Sequence, residues 1–522
     1  MKKSSARPWI LIAASLVLSA AMYAQFSIIP QPQSIVTGSG VFTLTGNSVI
    51  IASGAGLKAA RYCTAMIARN TGIRMVITND GSPDAGVILF QITNGSAFGA
   101  EGYSLAVDER VIRIAAATEA GLFYGAQTFG MLLPSDAVHQ RSAQGAVNIP
   151  GCRIIDSPRM PWRGLMVDAA RHFFTVDELK QFIRVMALHK LNMLHLHLTD
   201  DEAWRIEIKK YPLLVKKGAW RSSIGFGFPA DASTAYGADG KYGGYYSASD
   251  IKDLVAFAAE HCVTIIPEID IPAHSRAALA AYPSLSCKSR DGLWCPGNEA
   301  TYAMLTNVLA EVVDMFPSKY VHIGGDEIGR PQWWLCPSCK RHVLEARRMR
   351  DDDNLQRYFH WRIGRYLVSR GRIPLGWDEI ADGDISVPAA VMGWRSAEHG
   401  YRAAQNGHDV ILTPQEYCYF DYYQSPYGEP KANGDVLSLK TVYGFDPVPW
   451  LLESIGPRIL GVSGNLWSEY IPNYRHLEYM AFPRAIALAE VGWSVKRDWD
   501  DFQRRLAVHR IRLDVIGVNY RR

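Results

Sequence analysis

The sequence predicts an α/β fold, a closed (β/α)8 barrel of the TIM type preceded by a small α+β domain. Three observations support this prediction. The chain has 522 residues, more than one ordinary hydrophobic core accommodates. After Pro150 the hydrophobic pattern changes to strands that alternate with helices. Polar or aromatic side chains follow the ends of the predicted strands, which is where barrel proteins carry their functional sites.

The chain divides into four predicted segments. They are a secretion signal over residues 1–24, a small α+β domain over 26–150, the barrel over 151–500 and a C-terminal helical tail over 501–522. The first segment has basic residues followed by an apolar run over 9–21 and an Ala-x-x-Ala tail at 21–24, the pattern of a secretory signal. The apolar run is too short to span a bilayer, and the first cysteine, Cys63, lies too far away for a lipid anchor. We therefore expect an exported protein, periplasmic or extracellular, without a membrane anchor.

The composition is that of a globular protein whose surface does not attract polyanions. Charged residues make up 20% and hydrophobic residues 48% of the chain. The formal net charge is +4, and removal of Lys2, Lys3 and Arg7 with the signal would leave 4 − 3 = +1. A charge this small predicts no nucleic-acid partner and no binding to an acidic membrane.

The eight cysteines are few for an exported chain of this size. Cys287 and Cys295 flank one loop, and Cys336 and Cys339 form a CxxC motif, which is compatible with a redox pair, half of a zinc site or a local disulfide. Since no second CxxC exists to complete a four-thiolate zinc site, we favour local disulfides or free thiols over metal.

We interpret the small domain as structural support. Two strands over 102–107 and 111–115 are joined by a short polar turn, and a helix with a regular apolar face covers 119–133. Its polar patches contain no convergent set of catalytic residue types.

Eight strands are predicted for the barrel, at 163–168, 191–198, 263–268, 320–324, 373–377, 389–393, 409–412 and 459–464. Helices are predicted at 176–189 and 301–315, between strands. An open doubly wound sheet is the alternative, but it would require a glycine-rich phosphate turn after its first strand, where Gly164 stands alone.

Carboxylates, Arg, His or Trp follow all eight strands. In order along the chain they are Asp168 and Arg171; Thr199, Asp200 and Asp201; Glu268, Asp270 and His274; Asp326 and Glu327; Trp377, Asp378 and Glu379; Trp394; Tyr419 and Asp421; and Trp467 and Glu469. In a closed barrel these ends meet at one mouth, so the pattern predicts a single site. On its own, the Asp326–Glu327 pair is equally compatible with a solvated acidic turn.

The residue types at this mouth suggest a sugar, because indole rings stack on pyranose faces while carboxylates and Arg bind hydroxyl groups. One metal-like alternative is His195-Leu196-His197. Asp200 has the opposite parity along the strand, so we interpret both His as packed under the barrel helices with backbone partners. No metal and no cofactor are predicted.

The adjacency of Asp326 and Glu327 indicates how such a site would work. Ordinary retaining glycosidases place two carboxyl groups about 5–5.5 Å apart on opposite sides of one bond, which adjacent residues can hardly do. An acid next to a second carboxylate instead suits a substrate whose own 2-acetamido carbonyl is the nucleophile, with the second carboxylate holding the acetamido N–H.

These residues belong to motifs that resemble glycoside hydrolase family 20, the β-N-acetylhexosaminidases. The motifs are Arg171-His172-Phe173, the stretches 197–201 and 268–274, Gly324-Gly325-Asp326-Glu327, Gly376-Trp377-Asp378-Glu379, Leu466-Trp467-Ser468-Glu469 and Phe482-Pro483-Arg484. The resemblance covers about 28–499 and implies the same barrel behind a small α+β domain. It also implies a substrate partner, an oligosaccharide or glycan that ends in β-linked N-acetylglucosamine or N-acetylgalactosamine.

The resemblance further implies a role for each site residue. Glu327 is similar to the general acid and base, Asp326 to the carboxylate that orients the acetamido group, and Tyr419 to the donor to its carbonyl. Trp377, Trp394 and Trp467 are similar to the aromatic residues that surround the acetamido methyl group and the sugar ring. Arg171, Glu469 and Asp421 are similar to the residues that bind the outer hydroxyls of the terminal sugar. Asp200 and His274 are similar to the residues that tune Glu327 from behind. Loops 220–246 and 422–449 match no family landmark, and we expect them to shape the binding of the leaving sugar.

Two other functions are compatible with a barrel of this composition. A non-catalytic sugar-binding protein is one, although mere binding would not need the acid pair. A metal-dependent amidohydrolase is the other, although it would need additional His and Lys ligands on later strands, which are not apparent.

Overall fold

The computed structural model describes residues 26–79, 86–94, 99–134, 145–228, 239–328, 335–341, 355–382 and 387–522. The predicted secretion signal lies outside these residues. The chain forms two compact units, one made of residues up to 159 together with 493–518, the other of 160–492 together with 519–522.

The first unit is built on a seven-stranded mixed sheet. Its strands are β1 (Ser34–Thr45), β2 (Val49–Ile51), β3 (Val76–Thr78), β4 (Val87–Ile92), β5 (Tyr103–Val107), β6 (Val111–Ala116) and β7 (Ala146–Asp156), in the spatial order β1-β7-β5-β6-β4-β2-β3. The antiparallel pair β5–β6 and the helix Glu119–Leu132 confirm the hairpin and helix predicted for this segment. The unit also contains the helix Gly56–Thr71.

The C-terminal helix Trp499–Ile516 is a packed part of this first unit. Two of its arginines are buried and donate to backbone carbonyls of the unit, Arg512 Nη2 to Met131 O at 2.7 Å and Arg505 Nη1 to Ile28 O at 2.9 Å. Since a buried guanidinium requires such acceptors, these contacts specify where the helix docks.

The second unit is a closed barrel of eight parallel strands, which confirms the predicted fold and excludes the open sheet. In chain order the strands are β8 (Trp162–Asp168), β9 (Met193–His197), β12 (Thr264–Glu268), β13 (Tyr320–His322), β14 (Ile373–Trp377), β15 (Ala390–Gly393), β16 (Asp409–Leu412) and β19 (Ile459–Leu466). Two short ribbons lie in the loops, one of β10 (Trp220–Arg221) with β11 (Tyr242–Gly243) and one of β17 (Tyr422–Tyr423) with β18 (Asn433–Val436).

Helices alternate with the barrel strands. They are Val176–Leu188, Leu213–Gly218, Ala248–Glu260, Arg276–Ala281, Glu299–Met315, Leu355–Ser369, Ala397–Gln405, Gln415–Cys418, Leu439–Gly444, Tyr474–Ala481 and Arg484–Trp493. Capping boxes begin two of them, at Thr175 with Glu178 and at Ser247 with Asp250, because each pair satisfies otherwise unpaired N–H groups of the first turn. Within the described part of the chain, no helix is long and apolar enough to cross a membrane.

None of the eight cysteines, all of which lie among the described residues, is in a disulfide, and four of them meet. Sγ of Cys295 lies 3.7 Å from that of Cys336 and 3.6 Å from that of Cys339. Cys287 Sγ is also 3.6 Å from Cys339 Sγ. The expectation that a single CxxC lacks partners for a four-thiolate cluster is therefore wrong. A hairpin, pairing Ser286 with Trp294, supplies the other two sulfurs from a distant part of the sequence.

Candidate active site

The Asp326–Glu327 pair lies at the end of a short glycine turn after β13. Gly324 and Gly325 have φ of 64° and 100°, in the left-handed region that favours glycine. A Cβ on Gly324 would lie 1.7 Å from Oδ1 of Asp270, so no larger residue fits. The turn buries Asp326, which is 8% exposed, whereas the side chain of Glu327 is 60% exposed. The two adjacent carboxylates therefore have different environments, which general acid–base chemistry requires.

His274 connects the pair to a third carboxylate. Its Nε2 lies 3.8 Å from Asp326 Oδ2 and 3.5 Å from Glu327 Oε2, and its Nδ1 lies 3.2 Å from Asp200 Oδ1. Burial lowers the pKa of His274, but the negative charges of Asp326 and Asp200 outweigh burial and hold that pKa above its ordinary value. Both His274 and Glu327 have positive φ, of 48° and 50°, a strained geometry that clusters at functional sites.

The pKa values of the two acids are shifted in opposite directions. The contact with His274 lowers the pKa of Glu327, against a smaller effect of burial. Burial raises the pKa of Asp326, although the charge of His274 opposes it. In the free site Glu327 is therefore readily ionised and Asp326 less so.

Arg171 gathers four carboxylates after β8. Its guanidinium lies 2.8 Å from Asp200, 3.0 Å from Glu202, 3.3 Å from Asp168 and 3.8 Å from Glu469. Burial opposes its charge, but Asp200 and Asp168 raise the pKa of Arg171 further above its ordinary value. A cation surrounded in this way is fixed in position and leaves carboxylate oxygens free to accept hydroxyl protons.

The interpretation of His195 and His197 as residues packed outside the barrel is wrong. His197 Nδ1 lies 2.6 Å from Glu268 Oε2 and its Nε2 lies 2.7 Å from Asp200 Oδ2. His195 Nε2 lies 2.9 Å from the same Glu268 oxygen. Strand β9 ends at His197, and Asp200 lies in a turn in which its N–H donates to Ala203 O. Strand parity therefore does not extend to Asp200, and all three side chains point into the same polar network.

Glu268 is the centre of this network, a role that the sequence did not reveal. Its Oε1 accepts from Trp377 Nε1 at 3.0 Å and lies 2.9 Å from His322 Nδ1. Burial would raise the pKa of Glu268, but the surrounding His residues hold it well below its usual range. His195, His322 and Glu268 are chemically able to ligate a metal. Their contacts of 2.9 Å are hydrogen-bond distances, however, and are shorter than the about 3.4 Å that separates the ligands of a tetrahedral ion with bonds of about 2.0–2.2 Å.

Four aromatic rings form the apolar walls. Trp377 and Trp467 lie 5.7 Å apart at 44°, and Trp394 stacks on Tyr419 at 6.1 Å and 22°. Each wall has a polar anchor; Trp394 Nε1, for example, donates to Glu379 Oε2 at 2.9 Å. Burial and the charge of Asp326 raise the pKa of Glu379 to about 7. Because their polar ends are hydrogen-bonded, the rings offer fixed faces on which a sugar can stack.

Asp421 is a buried acid whose hydrogen-bonding capacity is unused. The residue is 2% exposed, and neither carboxylate oxygen has a hydrogen bond of good geometry among the described residues, although the Asn433 side chain lies beside it. Burial and the charge of Glu469 raise the pKa of Asp421 well above its usual range. A buried polar group without a partner is costly, so its oxygens are suited to a ligand hydroxyl.

These side chains line one cavity of about 220 Å³. The lining residues are Arg171, His274, Asp326, Glu327, Trp377, Trp394, Gln415, Tyr419, Asp421, Tyr422, Asn433, Trp467 and Glu469. Pockets for drug-sized ligands have volumes of about 300–1,000 Å³, so this cavity suits a smaller group such as one sugar ring. Every predicted catalytic and substrate-binding residue lies on it, and Asp200 lies behind it, against Arg171 and His274.

Three lining residues were not predicted, namely Gln415, Tyr422 and Asn433. Tyr422 donates to Gln415 Oε1 at 3.1 Å, so the two form one polar edge. Gln415 follows strand β16 by three residues, a signal of the kind that found the other site residues. Tyr422 and Asn433 belong to loop 422–449, expected to shape the site, whereas no described residue of loop 220–246 lines the cavity.

The cavity at the strand ends of this parallel barrel combines an acid pair, an arginine and aromatic walls. This is the active site of a carbohydrate-cleaving enzyme, a glycoside hydrolase. Family comparison makes this assignment specific. Residues 160–496 match the model of the glycosyl hydrolase family 20 catalytic domain, and residues 25–157 match that of domain 2 of the same family. The chain belongs to glycosyl hydrolase family 20.

Individual hexosaminidases are similar to this chain in sequence and in structure. A β-hexosaminidase of Porphyromonas gingivalis is 35% identical over 511 residues, which cover 95% of this chain and 64% of the relative. A β-N-acetylhexosaminidase of Cellulomonas fimi is 30% identical and is covered over 95% of both chains. The crystal structure of a family 20 exo-β-N-acetylglucosaminidase of Vibrio harveyi with N-acetylglucosamine superposes with a TM-score of 0.85 at 34% identity, over 96% of this chain and 78% of the other.

Proposed function

We propose that this protein is an exo-acting β-N-acetylhexosaminidase. It removes terminal, non-reducing β-linked N-acetylglucosamine or N-acetylgalactosamine from oligosaccharides, with retention and with the substrate's acetamido group as nucleophile. The observation that carries the proposal is the unequal acid pair. A buried Asp326 and an exposed Glu327 share one cavity and one histidine, His274.

In the first step Glu327 donates its proton to the glycosidic oxygen while the acetamido carbonyl oxygen attacks C1. The C1–O bond to the leaving sugar breaks, and an oxazolinium ring forms. Asp326 accepts the acetamido N–H and stabilises the positive charge, while the Tyr419 hydroxyl donates to the acetamido oxygen. Preorganised groups aimed at developing charge are the largest contribution to many enzymatic rates.

In the second step a water molecule attacks C1 from the side that the leaving sugar vacated. Glu327, now a carboxylate, accepts its proton, the C1–O bond to the acetamido oxygen breaks, and the acetamido group is restored. Two displacements at C1 give net retention.

The electrostatics of the free site suit this second step more than the first, because His274 lowers the pKa of Glu327. Binding of a sugar would raise the pKa of Glu327 and so favour the protonated acid that the first step needs. Glu327 is 60% exposed in the free protein, and an occupant that displaces its water disfavours the charged form and raises its pKa. Protonation of the acid is thus coupled to binding.

The shape of the cavity supports exo action. Arg171, Glu469 and the unpartnered Asp421 are the groups suited to the outer hydroxyls of a terminal sugar. They bind hydroxyl groups that a further sugar on the non-reducing side would occupy or cover.

The decisive assay compares an aryl N-acetyl-β-glucosaminide with the aryl β-glucoside that lacks the acetamido group. We expect turnover of the first only, and strong inhibition by a thiazoline mimic of the cyclised intermediate. Efficient glucoside cleavage would overturn substrate assistance. No turnover above that of Glu327→Gln would leave a sugar-binding protein instead of an enzyme.

Export also remains a proposal, supported by the leader-like pattern of residues 1–24. The mass of the N-terminal peptide recovered from the cell envelope or medium tests it, and an intact leader on a protein recovered only from the cytoplasm would contradict it.

A further inference from the structure

We propose that Cys287, Cys295, Cys336 and Cys339 bind one Zn²⁺ ion as a tetrathiolate site. The ligand atoms of these four buried residues all lie within 4.8 Å of one another. The site is outside the sugar cavity and does not depend on the proposed function. It is a structural site, because four protein ligands fill the tetrahedral coordination of zinc and leave no position for a substrate.

The distances between the sulfurs agree with a tetrahedral zinc ion. Zn–S bonds of about 2.3 Å at tetrahedral angles place the sulfurs about 3.8 Å apart. Three of the six pairs are separated by 3.6, 3.6 and 3.7 Å. A disulfide requires about 2.05 Å.

The pattern of contacts does not select disulfide pairs. Cys295 lies equally near Cys336 and Cys339, at 3.7 and 3.6 Å, and Cys339 lies equally near Cys295 and Cys287, at 3.6 Å each. Sulfurs that each lie within 4.8 Å of the other three are what one central ion requires, whereas two disulfides would divide them into two close pairs. The hydroxyl of Ser289, 2.9 Å from Cys287 Sγ, is placed to donate to a thiolate.

The backbone holds the sulfurs in place without the ion. Cys287 N donates to Leu293 O and Cys295 N to Leu285 O, so both cysteines lie on one face of a hairpin. The CxxC forms a tight turn in which Lys340 N donates to Cys336 O at 2.9 Å.

The CxxC turn also packs directly on the chain after the hairpin. A Cβ on Gly297 would lie 2.4 Å from Cys339 N, so only glycine allows this approach. The surrounding side chains, Ala273, Leu293, Ile328 and Leu355, are apolar and buried. Such an environment keeps water and competing ligands away from the thiolates.

The site joins the two loops that flank the acid pair. Ile328, next to Glu327, packs in the cysteine cluster. At the tip of the hairpin, Nη1 of Arg290 donates to the backbone O of Glu327 at 3.0 Å and to that of Ile328. The ion therefore fixes the hairpin, and through Arg290 the hairpin fixes the left-handed backbone of Glu327. Arg290 is a positioning residue for the general acid, an inference that does rest on the proposed function.

The first experiment measures the metal content of the full-length protein purified without added metal. We expect about one zinc per chain, retained through dialysis, with four thiols that react only after chelation under denaturing conditions. Substitution by Co²⁺ should give the intense thiolate-to-cobalt absorption and the d–d bands of a tetrahedral site. Two disulfides by mass spectrometry, four reactive thiols without metal, or bound iron would overturn the proposal.

Variants separate the site from general destabilisation. Cys339→Ser should lose at least tenfold in zinc affinity, and Cys339→His, which supplies another zinc ligand, should recover most of it. Cys63→Ala, at a buried cysteine outside the cluster, should keep one zinc per chain. An unchanged zinc affinity in Cys339→Ser would contradict the ligand assignment.

The positioning role has its own readout. Arg290→Ala should retain zinc but lower kcat about tenfold on substrates with poor leaving groups, and much less on activated aryl substrates, because only the former need the acid. An equal loss on both would overturn the positioning role without affecting the zinc site. Absence of hydrolysis by the wild-type protein would overturn the proposed function alone.

Discussion

Nε2 of His274 lies 3.5 Å from Oε2 of Glu327. Its other nitrogen is 3.2 Å from Asp200, and Asp200 in turn is 2.8 Å from Arg171. The four side chains alternate in charge from Arg171, the proposed substrate-binding arginine, to Glu327, the proposed acid. The protonation of Glu327 is therefore sensitive to residues that do not contact it.

Asp200→Asn tests this alternation. Removing the charge of Asp200 leaves His274 beside Asp326, which still holds the pKa of His274 above its ordinary value, and removes a negative charge that raises the pKa of Glu327. We expect kcat/KM to fall about 10–100-fold, the loss typical when a hydrogen-bond partner behind a functional group is removed, and the basic limb of the pH–rate profile to move to lower pH. Asp201→Asn is the matched control, because Asp201 contacts Arg276 instead. A loss of activity without the shift would mean that Asp200 acts through structure alone.

The two aspartates at neighbouring strand ends should differ in their effect on turnover. Asp326→Asn removes the charge that we propose stabilises the oxazolinium and should lower kcat by about 10²–10³-fold, as loss of one transition-state contact does. Asp378 instead accepts from Trp394 N at 2.7 Å and pairs with Arg395, so Asp378→Asn should lower stability more than kcat. Steady-state kinetics and urea unfolding of both variants decide. Equal losses of kcat would show that the acetamido-orienting carboxylate has been misassigned.

Asp421 should recognise one hydroxyl of the terminal sugar, which we expect to be the 6-hydroxyl. Asp421→Ala should lower kcat/KM about 10–100-fold, since removing one partner of a buried hydrogen bond costs about 1–3 kcal/mol. With a 6-deoxy substrate, wild type and variant should be nearly equal. A variant that loses as much on the 6-deoxy substrate as on the parent would place Asp421 against another group.

Glu379 should make stability depend on pH. Its pKa is about 7 in the folded protein against a usual 4.5, so between these values the folded state binds the extra proton. Its contribution to stability is therefore present below about pH 4.5 and is lost as the pH rises through 7.

Glu379→Gln keeps the acceptor for Trp394 and removes this titration. In urea unfolding, the free energy of unfolding of the variant minus that of wild type should be larger at pH 8 than at pH 5, by at most about 3 kcal/mol. Glu398→Gln, at an exposed acid, should parallel wild type at both pH values. A Glu379→Gln variant that also parallels wild type would show that Glu379 titrates normally.

Much of the architecture was predictable because it depends on local patterns. The predicted barrel strands overlap the observed ones, and 373–377 and 409–412 coincide with β14 and β16. Hydrophobic periodicity within a few residues determines such elements, and closure of the barrel then brings polar strand ends together. The catalytic and substrate-binding residues could be proposed for that reason.

Other features required contacts between distant parts of the chain. The order of strands and the residues at their ends were contained in the amino-acid sequence. The inward orientation of His195 and His197, the central position of Glu268 and the assembly of four cysteines were decided by the folded molecule. Periodicity stops where a strand ends, as β9 does at His197, and no local rule places a hairpin at 285–295 against a CxxC more than forty residues later. Such juxtapositions are consequences of packing between loops, which only the three-dimensional structure specifies.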